Sequence, residues 1–119
     1  MQVLIHTDNH IVAHEPLVER VTAAVRQALK RFDPHLTRVV VHLKDENGPK
    51  DAPHDQRCVI EARLQHRTPV SASHEATTID LAVDGALNKL VRAIDSDMGR
   101  RKDKAGHAVP QFDDEEAGS

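Results

Sequence analysis

The sequence has no tryptophan and no tyrosine, and only two phenylalanines, Phe32 and Phe112. Proteins that read unpaired RNA bases commonly stack them on such rings. With so few rings, recognition by stacking unpaired bases is expected to be nearly excluded, and an RNA partner to be held through backbone charge and shape. Cys58 is the single cysteine, so no intrachain disulfide forms and no Cys-x-x-Cys motif exists. No apolar run approaches the roughly 20 residues that cross a bilayer. No apolar signal segment follows Met1, and a cytoplasmic location without membrane contact is expected. Five glycines in 119 residues form neither a phosphate-binding loop nor a Gly-x-Ser-x-Gly elbow.

Catalytic patterns are equally scarce. Asp84 has no partner carboxylate at a useful spacing. Cys58 shares its alternation with Ile60 and Leu64, which reads as a buried thiol rather than a nucleophile. Nine histidines raise the question of a metal. His6, His10 and His14 are four apart, but they fall in a strand and a loop, where that spacing does not bring side chains together. The chain is therefore not expected to be an enzyme. No cofactor, metal or small-molecule substrate is expected, and a monomer is the favoured form.

What the chain does contain is uneven charge. The formal net charge is −3, yet Asp113, Asp114, Glu115 and Glu116 supply four of the negative charges. Setting these aside leaves +1 for residues 1–112. Lys89, Arg92, Arg100, Arg101, Lys102 and Lys104 gather just before that acidic end. A basic segment followed by an acidic one can bind phosphate, with a modest field.

Apolar spacing gives the architecture. Residues 2–7 alternate weakly and contain Val3, Leu4 and Ile5, as a short strand. Pro16 suits the first turn of a helix. Val18, Val21, Val25, Leu29 and Phe32 then recur at steps of three and four, and Pro34 ends the helix. Residues 36–44 and 56–65 alternate clearly. The first places Val39, Val41 and Leu43 inward, the second Cys58, Ile60, Ala62 and Leu64. Residues 45–55 carry glycine, prolines and charges, the composition of a long mobile connection.

Residues 70–74 form a short strand with Val70 and Ala72 inward. Thr77 and Asp80 have near capping-box spacing. The stripe Ile79, Val83, Ala86, Leu87, Leu90, Val91, Ile94 and Met98 then marks a second helix, which Gly99 frays or ends. The order β-α-β-β-β-α implies an α+β two-layer sandwich. Two helices pack on one face of a four-stranded sheet, and the first strand lies parallel beside the second. A folded domain is expected over residues 1–104, with a disordered acidic tail over 105–119.

Particular stretches are familiar. They are Val70-Ser71-Ala72-Ser73-His74, the helix from Ala82-Val83-Asp84-Gly85 to Lys89-Leu90-Val91-Arg92, the strand at residues 36–44, and the opening Met1-Gln2-Val3-Leu4-Ile5. In order and spacing they resemble the ribosome hibernation-promoting factor family, also called ribosome-associated inhibitor A. The resemblance implies a fold like a double-stranded-RNA-binding domain with an added strand. It implies binding to 16S-type rRNA and ribosomal proteins of the small subunit, in the channel for messenger and transfer RNA. The effect would be to silence idle ribosomes. Family members that pair ribosomes carry a second, dimerising domain, and none is expected in this chain.

The resemblance makes Lys89, Arg92, Arg100, Arg101, Lys102 and Lys104 the first candidates for phosphate contacts, where composition alone allows a solvated helix end. Arg38, Lys44 and Arg63 are candidates on the outer sheet face, with Arg57, His42 and Glu61. That face either meets RNA or simply faces water. Arg20, Arg26, Lys30 and Arg31 on the first helix read as a solvated face. Asp80 stands where the family commonly has tyrosine, and Asp95 and Asp97 lie among the bases. These acids and the tail are expected to weaken the grip on RNA. They also motivate an alternative, a protein-interaction module of the same fold without ribosome binding.

Overall fold

The structure is a computed structural model that describes residues 1–8, 11, 14–45 and 56–106, with side chains described as far as Gly99. The elements are β1 (Gln2–Thr7), α1 (Glu15–Ala28), a 3-10 helix (Lys30–His35), β2 (Leu36–Asp45), β3 (Gln56–Leu64), β4 (Val70–Ala76) and α2 (Ile79–Gly106). The sheet order is β1-β2-β3-β4. β1 and β2 are parallel, joined by the crossover through α1, and the other two pairs are antiparallel. This is the α+β arrangement that the spacing of apolar residues implies. The expected connection at residues 45–55 falls outside the described residues, apart from Asp45, which ends β2.

One face of the sheet carries the core. Val39, Val41 and Leu43 of β2 and Cys58, Ile60, Ala62 and Leu64 of β3 are buried there. Leu17, Val21, Val25, Leu29 and Phe32 cover them from one side, and Ala82, Val83, Ala86, Leu87, Leu90 and Ile94 from the other. Burying each large aliphatic side chain contributes about 1.5–3 kcal/mol. The first stripe begins at Leu17 rather than Val18, which is half-buried. Among the described residues no polar or charged residue is buried.

The ends of the elements refine the reading. His14 caps α1, its Nδ1 accepting from the Leu17 amide at 3.2 Å, and Pro16 sits in the first turn. Pro34 lies inside the 3-10 helix, whose tighter bonding carries the chain from Leu29 into β2. The cap of α2 is Thr78, not Thr77: its Oγ1 accepts from the Leu81 amide at 3.1 Å. α2 runs through Gly99 to Gly106. One glycine in a helix costs only about 1 kcal/mol, too little to stop so long a rod. Of the expected tail, Ala105 and Gly106 are therefore helical, and 107–119 lie outside the described residues.

Two contacts set the positions of surface groups. Between β2 and β3 the register shifts at Leu36/Arg38, so Thr37 is an extra residue, and its Oγ1 donates to the Arg63 carbonyl at 3.1 Å. Leu36 thus points into the core while Arg38 points out. On the other side, α2 crosses β4 closely at Gly85. A Cβ there would come within 3.0 Å of three atoms of the His74 ring. Only glycine permits that approach.

Candidate nucleic-acid interface

Leu87, Leu90 and Ile94 take the inward positions of α2, which leaves Lys89 and Arg92 exposed together on its outer face. The Lys89 ammonium donates to the Ser73 carbonyl of the edge strand β4 at 3.2 Å. Among the described residues Arg92 has no hydrogen-bond or ion-pair partner. Arg100, Arg101, Lys102 and Lys104 follow on the last turns of the same helix. At about 1.5 Å per residue, the rod from Lys89 to Lys104 is roughly 22 Å long. The side chains beyond Gly99 are outside the described residues.

Three of the acids of α2, Asp80, Asp95 and Asp97, are each paired with an arginine. Asp80 accepts from Arg20 of α1 at 3.0 Å. Asp95 accepts two bonds from Arg31, at 2.9 and 2.6 Å. Asp97 accepts from Arg67 in the β3–β4 turn at 3.0 Å. The hydrogen bond to Asp95 raises the Arg31 pKa above its ordinary value, and the same guanidinium lies 4.3 Å over the Phe32 ring. A paired carboxylate presents a dipole rather than a charge, and its field falls off faster. The pairing is tertiary: each of these three acids meets an arginine from a different element. The same pairs occupy Arg20 of α1 and Arg31 of the 3-10 helix, two members of the basic stripe expected on the first helix. Arg26 reaches the Met1 carbonyl at 3.5 Å.

A second surface lies on the other side of the sheet. Arg38 and Lys44 of β2 point outward beside Arg63 and Arg57 of β3, their cross-strand partners. Arg63 approaches Glu61 at 3.9 Å and Arg57 approaches Glu75 at 3.4 Å. Arg38 and Lys44 are exposed and have no such partner among the described residues. Between the two pairs, His6 of β1 and His42 of β2 stack, with ring centroids 5.3 Å apart and planes inclined by 21°. The candidate residues therefore divide between α2 and the bare sheet face, and no single surface gathers them. The histidine stack escaped the count of tryptophan, tyrosine and phenylalanine. Only the β1–β2 register reveals it.

Elsewhere, a groove of about 620 Å³ runs between the starts of α1 and α2, lined by Leu17, Ile79, His14, Arg20 and Asp80 among others. Its arginine is already bound to Asp80. Among the described residues no three metal-ligating side chains converge, and no helix is long and apolar enough to cross a membrane. Cys58 is buried beneath α2, and burial pushes its thiol pKa up to about 12.

A sandwich of two helices on a β1-β2-β3-β4 sheet has known counterparts among solved structures. The Thermus thermophilus Protein Y N-terminal domain superposes with a TM-score of 0.61 at 16% identity, covering 76% of this chain and 92% of that one. A ribosomal subunit interface protein from Coxiella burnetii superposes with a TM-score of 0.56 at 13% identity, covering 76% and 90%. At such identities the likeness establishes the fold. Residues 4–102 match the family described as Sigma 54 modulation protein / S30EA ribosomal protein, and the chain belongs to that family. It is a family of ribosome-associated factors rather than of enzymes. No curated protein sequence matches the chain.

Proposed function

We propose that this protein binds the small ribosomal subunit through phosphates of its rRNA and holds idle ribosomes out of translation in the cytoplasm. Lys89 and Arg92, continued by Arg100, Arg101, Lys102 and Lys104, form the main contact; Arg38, Lys44 and Arg63 form a second. Family membership supports the ribosome as partner. The observation that carries the site is the pairing of Asp80, Asp95 and Asp97 with Arg20, Arg31 and Arg67. With these acids engaged, the exposed cations of α2 keep their field for an outside anion. The same pairing speaks against three of the grounds for reading the chain as an interaction module without RNA.

Co-sedimentation with purified small subunits over a salt series tests the proposal. The protein is expected in the pellet at low salt and in the supernatant as salt rises, because binding releases condensed counterions. A K89A/R92A variant should lower the log–log slope by about one unit per lost phosphate contact. Protein found only in the supernatant at low salt would overturn the proposal.

A further inference from the structure

The bare sheet face has a pattern that a merely water-facing surface does not need. Arg38 lies directly opposite Arg63, and Lys44 directly opposite Arg57. Like charges at opposed cross-strand positions disfavour the sheet. Here the conflict occurs twice in one ladder, at either end of the exposed part of β2. Glu61 and Glu75 lie close to Arg63 and Arg57 and relieve part of it. The outward residues of β2, β3 and β4 still set these four cations against two carboxylates. From Arg38 to Lys44 the strand covers roughly 20 Å at about 3.3 Å per residue.

Between the cations the surface is partly apolar. Leu4, Val40 and Val59 are half-buried outward residues that make its floor. On that side of the sheet the His6 and His42 rings stack on each other, and His6 is exposed. A π-surface framed by cations along a strand is what binds single-stranded nucleic acid: bases stack and phosphates pair. Duplex RNA keeps its bases covered and offers this floor nothing to stack.

We infer that the open sheet face binds a single-stranded RNA segment, with an unpaired base stacked on the His6–His42 pair and its phosphates on Arg38 and Lys44. This deepens the proposed RNA-binding function and rests on it, assigning single strands to the sheet while the α2 cations take phosphates of folded RNA. Two RNA probes separate the surfaces: fluorescence anisotropy with a labelled short oligoadenylate and with an RNA duplex of equal length, at low salt. H6A/H42A should weaken oligoadenylate binding by about fivefold or more and leave duplex binding unchanged. H42F, which keeps a ring, should retain oligoadenylate binding where H42A loses it. K89A/R92A should weaken the duplex instead. Oligoadenylate binding that ignores H6A/H42A, or that falls as far in H42F as in H42A, overturns the inference. Small-subunit pelleting, run on the same samples, distinguishes the two readings. Pelleting without oligoadenylate binding removes the sheet platform alone; oligoadenylate binding without pelleting upholds the platform and removes the ribosome.

Discussion

Replacing Gly85 with alanine tests how tightly α2 is seated. In an unobstructed helix the change stabilises by about 1 kcal/mol, through helix propensity and a stiffer unfolded chain. Here the new Cβ would overlap the His74 ring, whose three nearest atoms all lie within 3.0 Å of it. The ring's attachment atom is among the three, so rotation about its last bond cannot clear the clash. Either His74 changes rotamer or α2 lifts from β4. Overpacking of this kind costs about 1–3 kcal/mol. The difference is a net loss of about 1 kcal/mol, a fall in Tm of roughly 4–8 °C for a domain this small. H74A removes the obstacle, and on that background G85A should regain the full helix benefit. Urea unfolding of the four proteins closes a double-mutant cycle, with an expected coupling of about 2 kcal/mol. If G85A stabilises both backgrounds equally, His74 does not limit the approach and the reasoning fails.

Further perturbations bear on charge and on the core. D95N frees Arg31 as a cation beside α2, so its pelleting with small subunits should persist to higher salt than the parent's. The exposed Arg31–Asp95 pair itself should add little to stability, so R31A and D95A should leave the urea midpoint almost unchanged, and a large shift would contradict its exposure. With its pKa pushed up from 9.0 to about 12, Cys58 should resist a thiol-reactive dye at pH 8 until denaturant is added. Because the folded state favours the neutral thiol, its contribution to stability is whole below pH 9 and is lost as pH rises toward 12. Rapid labelling of the native protein would show that the thiol is not enclosed.

The order of elements, the inward residues of β2 and β3 and the parallel first strand were legible because each is written in local alternation or in crossover length. What was not legible depends on distant partners or on small local differences. Thr77 and Thr78 carry the same hydroxyl, and only the backbone path decides which one caps α2. Asp95 and Arg31 are 64 residues apart, so the sequence shows an intruding acid where the fold makes an ion pair. The basic residues of α2 were legible as a cluster, whereas Arg38, Lys44 and Arg63 belong to a separate surface that strand phase reveals and linear distance conceals. His6 and His42 meet only when β1 is laid on β2 in register, 36 residues apart in sequence.

Thr37 gives the sheet its parity. A strand assigns residues to two sides by odd and even position, and one inserted residue exchanges the assignment for everything beyond it. Leu36 and Arg38 differ by two and would share a side in a regular strand, yet they face opposite ways. Removing Thr37 would act like a frameshift written in space. Either Leu36 would be turned out into water, or Arg38, Val40, His42 and Lys44 would be driven into the core and Val39, Val41 and Leu43 expelled. The small polar residue fastened to the Arg63 carbonyl thus keeps a hydrophobic start and a cationic face compatible within a single strand.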